Sequence, residues 1–119
     1  MLRATDVVER FLDRMVAHDW AGIRDCLARD VVRVGPFGDS YSPRDRYVAF
    51  LAELIPQLPN YSMKVARVIY GGAPSVAVAE LSETMDVDGA PLETPEALVF
   101  DLDADGKIAH IAVYIQRRV

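Results

Sequence analysis

The sequence predicts an α+β domain shaped as a cone, with three N-terminal helices packed on a curved antiparallel sheet. Three observations carry that reading. Up to Leu58 the apolar residues recur at helical spacing, and from Tyr61 onward the period changes to two, with β-branched and aromatic residues at alternate positions. Within the first regime, after two helical patterns, a strand, Val31-Val32-Arg33-Val34, stops at Gly35-Pro36-Phe37-Gly38. This apolar corner brings the first strand to the mouth of an internal pocket.

Taken in order, Val7, Val8, Phe11, Leu12, Met15 and Val16 predict a first helix over 5–18, with Asp6 and Glu9 as a capping pair for its first turn. Asp19 caps a second helix in which Trp20, Ile23 and Leu27 form the apolar stripe and which ends near Arg29. Ser42-Pro43 opens a third, with the serine hydroxyl as cap, proline at the first helical position and Asp45 completing the box. Tyr47, Phe50, Leu51, Leu54, Ile55 and Leu58 share one face of it, and Pro56 limits it to about three turns because proline lacks the N–H that the helix needs. Strands follow at 62–70, 76–87, 96–102 and 108–116, separated by turns at Tyr70-Gly71-Gly72-Ala73-Pro74, Val87-Asp88-Gly89-Ala90 and Asp103-Ala104-Asp105-Gly106-Lys107.

A chain of 119 residues without repeats or a low-complexity linker fits one domain, 1–119. The net charge of -5, with basic residues interleaved among acids, argues against a nucleic-acid partner. No apolar run approaches the ~20 residues of a membrane span. Met1 leads directly into a helical pattern without a leader-like segment, and the lone Cys26 has no partner for an internal disulfide, so the cytoplasm is expected. Neither cofactor nor metal is expected. His18 and His110 lack a spaced ligand set, and Asp101, Asp103 and Asp105 before Gly106 start a calcium-like pattern that is not completed.

The stretch from Thr5 to Gly38, containing VVERFLDRMVAHDWAGIRDCLARDVVRVGPFG, resembles the opening of the NTF2-like superfamily, in particular its ketosteroid isomerase and SnoaL-like branch. The later VDG and VFDLDADGKIAHIAVYIQ resemble the last hairpins of that family. The resemblance covers nearly the whole chain. It implies the cystatin-like cone, a homodimer through the outer sheet face, and pocket chemistry of the isomerase, polyketide cyclase, hydrolase or dehydratase kind. The residues that would carry isomerase chemistry are absent: the tyrosine donor falls at Phe11, the aspartate base at Gly35 and the second carboxylic acid at Leu98. Ketosteroid isomerase, a standard example of a base working with an oxyanion hole, needs all three. In the limonene-epoxide-hydrolase relatives the arginine maps to Leu81 and the last-strand aspartate to Val113, whereas one carboxylate keeps an acidic counterpart at Glu83.

Glu83 is the principal catalytic candidate. The period of two places it with Leu81 and Met85 on the inward face, where loss of water favours a neutral carboxyl suited to acid or base work. Arg33 shares strand parity with Gly35 and can pair with Glu83 or with a substrate carboxylate. Glu96 is a weaker carboxyl candidate, read as a rim residue near the loop Gly89 to Pro95. The expected lining of an apolar pocket is Phe11 and Met15 from the first helix, Phe37 from the corner, and Tyr41, Tyr47, Phe50 and Leu54 around the third helix. The sheet adds Leu81, Met85, Leu98, Phe100, Ile111 and Val113. His110, Tyr114 and Gln116 fall on the outer face, where a homodimer would form.

Three function classes follow: a cofactor-independent isomerase, cyclase or epoxide hydrolase type of enzyme using Glu83, a non-catalytic binder of an apolar small molecule, and a dimeric protein-interaction module.

Overall fold

In the computed structural model, residues 4–71 and 75–116 are described. Two helices, α1 (Ala4–Val16) and α2 (Trp20–Cys26), lead into strand β1 (Leu27–Val34). A two-residue strand β2 (Ser40–Tyr41) turns back to helix α3 (Arg44–Leu54), which tightens into a 3-10 turn at Ile55–Gln57. Strands β3 (Ser62–Gly71), β4 (Val76–Val87), β5 (Ala90–Leu102) and β6 (Ile108–Ile115) complete the chain. They form one curved six-stranded sheet in the order β2-β1-β6-β5-β4-β3. The four C-terminal strands are an antiparallel meander, while β1 joins β6 in parallel, so the sheet is mixed at that one seam.

Several boundaries differ from the sequence reading, each for a local reason. Helix α1 starts ahead of Asp6, which lies in its first turn and not at its cap. Helix α2 stops at Cys26, because Leu27 is already extended and pairs with Ile108 of β6, so residues expected to be helical belong to β1. Asp19 does cap α2, its carboxylate accepting from the Gly22 N–H at 2.9 Å. At α3 the cap position is Pro43 and no side chain caps the helix, so Ser42 does not play the role expected of it. Pro56 does end the regular helix, and the chain continues only as the 3-10 turn.

Strand β5 begins at Ala90, six residues before the expected start. The turn Asp88-Gly89 explains this: both residues have positive φ, 53° and 81°, the two-residue hairpin geometry that holds Val87 directly opposite Ala90 and zips the strands from there. The expected turn at Gly72, Ala73 and Pro74 lies outside the described residues.

The concave face of the sheet and the inner faces of α1, α2 and α3 bury one core. Phe11, Ile23, Leu27, Phe100, Ile108 and Ile111 are each almost wholly shielded from water. Helix α1 packs over β3 and β4, and α3 packs against β1. The helices therefore fill one end of the cone and leave the other end of β4, β5 and β6 to the site.

Candidate functional site

On the concave face, parity continues from core to site without interruption. In β4 the inward set runs Ala77, Ala79, Leu81, Glu83 and Met85, of which the first three are buried. In β5 it runs Phe100 and Leu98, both buried, then Glu96 and Thr94. Glu83 lies opposite Thr94, and Glu96 opposite Leu81 on one side and Ile115 on the other. The two glutamates are thus diagonal neighbours on one face, at the end where the core gives way to solvent.

They interact directly. Glu96 is half-buried, and loss of water pushes its carboxyl up from 4.5 to about 9, with the hydrogen bond to Glu83 and the charge of Glu83 adding to the rise, and Arg33 opposing it. At neutral pH Glu96 therefore carries a proton and donates it toward Glu83. A second donor reaches Glu83 from the side: the Tyr61 hydroxyl hydrogen-bonds Glu83 Oε2. Burial raises the Tyr61 phenol, and Glu83, as neighbouring charge and hydrogen-bond partner, raises it further, so Tyr61 stays a donor.

Tyr61 is aimed by a turn that spacing alone does not reveal. Asn60 adopts φ 52°, a left-handed conformation that asparagine tolerates. Its amide donates to Asp86 Oδ2 at 2.6 Å, and the Asp86 N–H donates to the Pro59 carbonyl at 2.8 Å. The turn is thereby fastened to the end of β4, and the next residue, Tyr61, meets Glu83. Tyr47 comes from α3; it is buried, its hydroxyl is raised mainly by loss of water, and it feels the charges of Arg33, Glu83 and Glu96.

Arg33 pairs in β1 with Ile111 of β6 and therefore lies on the same concave face. Its partner is neither glutamate. Arg33 Nη1 donates to Asp39 Oδ2 at 2.8 Å across the corner, with the arginine side chain only 15% exposed. Its guanidinium also lies 5.9 Å and 5.6 Å from the ring centres of Tyr41 and Phe50, which stack at 3.9 Å. The corner is consequently not apolar, as the sequence suggested, but holds an ion pair over an aromatic stack.

The expected apolar lining divides in two. Phe11, Met15, Leu81, Leu98, Phe100 and Ile111 are packed core, with Phe11 edge-on to Phe100 at 5.9 Å, rather than walls of an open chamber. Leu54 is 38% exposed, because α3 turns Tyr47, Leu51 and Ile55 inward instead. Phe50, Met85 and Val113 are half-buried. The open space is at the mouth, where a cleft of about 730 Å³ is lined by Phe37, Leu92, Thr94, Pro95 and Ile115, among others. Phe37 and Leu92 stand 70% and 52% exposed there. Thr94 and Ile115 in that lining are the cross-strand partners of Glu83 and Glu96, so the cleft borders the strands that carry the carboxyl pair, although neither Glu83 nor Glu96 is itself in the lining.

The SnoaL-like domain profile matches residues 8–111, which is most of the chain. This chain belongs to the SnoaL-like family. Its fold is similar to that of an LEH-like epoxide hydrolase from M. tuberculosis, with 20% identity, a TM-score of 0.81, and coverage of 95% of this chain and 82% of that one. It is also similar to an NTF2-like protein of unknown function from Cytophaga hutchinsonii (15% identity, TM-score 0.78, covering 98% and 92%). A third similar structure is a protein of ketosteroid isomerase-like fold from Catenulispora acidiphila, in complex with trimethylamine (14% identity, TM-score 0.78, covering 92% and 84%). At these identities the likeness is one of fold. No protein of curated function matches the sequence.

Within this SnoaL-like chain the carboxyl pair is Glu83 with Glu96, and Glu96 is not the rim residue expected. Its parity with Leu98 is the signal in the sequence, and the early start of β5 at Ala90 sets it well inside the strand. The partnership of Arg33 with Asp39 had no signal in strand parity, because Asp39 lies in the turn. Among the described residues no group of three or more metal-binding side chains occurs.

Proposed function

We propose that this SnoaL-like protein is a cofactor-independent acid–base enzyme acting on a neutral, largely apolar molecule that carries one reactive oxygen, such as an epoxide or a carbonyl. The observation that carries the reading is the contact between Glu96, which keeps its proton at neutral pH, and Glu83, beside the cleft at the mouth of the cone. A carboxyl that keeps its proton at neutral pH, held against a second carboxyl, is what acid–base chemistry at neutral pH requires. In the epoxide form, Glu96 gives its proton to the ring oxygen as the carbon–oxygen bond breaks. Glu83 takes a proton from the water that attacks carbon, and transfer from Glu83 back to Glu96 along their hydrogen bond restores the site. Substrate and water become a diol, with no other reagent consumed. Tyr61 holds Glu83 in place, while Tyr47 and the aromatic stack of Tyr41 and Phe50 supply apolar wall. Since Asp39 already neutralises Arg33, the site favours a neutral substrate over an anionic one. The epoxide hydrolase from M. tuberculosis supports the reading at the level of fold.

We further propose that it works in the cytoplasm as a homodimer through the outer sheet face. That face exposes Tyr114 at 61%, and a cleft of about 440 Å³ that includes Glu80, Ser82, Ala97 and Tyr114 also takes in Leu81, Glu96 and Ile115. Cys26 is free and buried, in keeping with a reducing compartment.

The test is a thermal-shift screen of the wild type, Glu83→Gln and Glu96→Gln against terpenoid epoxides, steroid enones, aromatic polyketides and fatty acids, followed by a turnover assay on each hit. The proposal expects ligands bound by all three proteins and converted by the wild type alone. Equal binding with no conversion by any of them identifies a non-catalytic binder instead.

A further inference from the structure

We infer that Asp39 is a positioning residue: by holding Arg33 at the β1–β2 corner, in space left open by Gly35, it keeps that guanidinium off the Glu83–Glu96 pair. The inference rests on the acid–base reading above, and its observations lie in the corner itself. The corner is a fastened turn, with the Gly35 N–H donating to the Asp39 carbonyl at 2.7 Å and the Gly38 N–H to the Gly35 carbonyl at 3.1 Å. A Cβ on residue 35 would collide with Asp39 Oδ1 and would lie 2.6 Å from Arg33 Nη1. Only a residue without a side chain at 35 lets the ion pair close over the strand at that point. Gly35 is buried beneath the pair, and its φ is not in the left-handed region, so what the glycine provides here is room for the ends of the Asp39 and Arg33 side chains and not an unusual backbone conformation.

The consequence is electrostatic. The titratable and charged groups around Glu96 are Glu83 from β4, Arg33 from β1, Tyr47 from α3 and Tyr61 ahead of β3. Arg33 is the one cation among them, and its charge favours the ionised form of Glu96. Among the described residues its ion pair is with Asp39, and the Tyr41–Phe50 stack holds it from the side. Without Asp39, a 15%-exposed guanidinium on the concave face is left with the carboxyl pair, whose charge state it already influences, as an anionic partner. Arg33 would then settle there and draw the proton out of Glu96, removing the acid. The corner thus sets which of two charge states the site has. Gly35 and Asp39 act together through Arg33, and neither touches the substrate.

The test is a pH titration of the Glu96 side-chain carbon by NMR in the wild type, Asp39→Asn, Gly35→Ala and Arg33→Gln, and in the double variant Arg33→Gln with Asp39→Asn. The wild-type midpoint is expected at about 9. Asp39→Asn and Gly35→Ala should each lower it by about one pH unit or more, and Asp39→Asn should have no further effect once Arg33 is glutamine. A purely structural role for Asp39 would lower thermal stability and leave the midpoint in place. A wild-type midpoint near 4.5 overturns the acid–base reading and this inference with it. A midpoint at about 9 that neither variant moves overturns the inference alone. Gly35→Ala guards against a fold defect peculiar to Asp39→Asn, since alanine keeps the Asp39 and Arg33 side chains and only moves them apart.

Discussion

Strands β4 and β5 are different materials at their two ends, although one face and one parity run through both. At the helix-covered end, Ala77 and Ala79 face Phe100 and Leu98, all buried, and Phe11 closes over them. At the open end the same face presents Glu83, Glu96 and Thr94, with Tyr61 alongside. A third environment lies on the reverse of the same strand, where Glu80 forms an exposed ion pair with Arg67 at 2.7 Å. Glu80 and Glu83 are three residues apart and so lie on opposite faces, and only the inward one gains a carboxyl partner and a tyrosine donor. Sheet parity combined with helix coverage, not residue type, separates core, site and surface here.

The sharpest way to break this comparison is at the closed end. Phe100→Ala should cost roughly 3–5 kcal/mol in a denaturant melt, because a fully shielded ring leaves a cavity that its neighbours cannot fill. A loss below about 1 kcal/mol would mean that this end is loosely packed and that the two ends differ less than described.

At the open end the effect should appear in chemistry and in pH dependence instead. Glu96→Gln should reduce kcat/KM by about 100-fold or more on any substrate found, with little loss of melting temperature. Because the folded protein keeps a proton on Glu96 that the unfolded chain loses above 4.5, the stability contributed by this group is fully present below that pH. It is lost progressively up to about pH 9. The wild type should therefore lose stability between those limits with a slope of at most about 1.4 kcal/mol per pH unit. Glu96→Gln should flatten the slope, and an unchanged slope would place the retained proton elsewhere.

Tyr61→Phe should act more gently, lowering turnover by about 10-fold while leaving ligand binding intact, since it removes one hydrogen bond to the Glu83 carboxyl. A variant as inactive as Glu96→Gln would make Tyr61 a proton donor in its own right. The smallest effect belongs to the outer face: Glu80→Gln should change stability by less than about 1 kcal/mol and turnover not at all. A fall in turnover on Glu80→Gln would end the distinction between the two faces.

Much of this contrast was legible in the sequence. Period-two spacing put Glu83 in register with Leu81 and Met85, and the change of period at Tyr61 marked where the meander begins. What could not be read depends on contacts between residues far apart or in turns. Glu96 meets Glu83 because β5 starts at Ala90 and carries it across from Leu81 and Ile115, and that start is set by two positive-φ residues at 88 and 89. Tyr61 meets Glu83 only because Asn60 and Asp86, 26 positions apart, are hydrogen-bonded. The ion pair of Arg33 with Asp39 made a corner that reads as apolar into a charged one. Spacing assigns faces, whereas turn geometry decides which groups on a face meet.

The most direct test of the central claim is an isotope-edited infrared spectrum at pH 7 of protein carrying ¹³C-labelled glutamate side chains. A protonated-carboxyl stretch is expected in the wild type, disappearing in Glu96→Gln and fading as the pH is raised through about 9. A wild-type spectrum showing only ionised carboxylates at pH 7 would contradict that claim, because the site would then hold two bases and no acid.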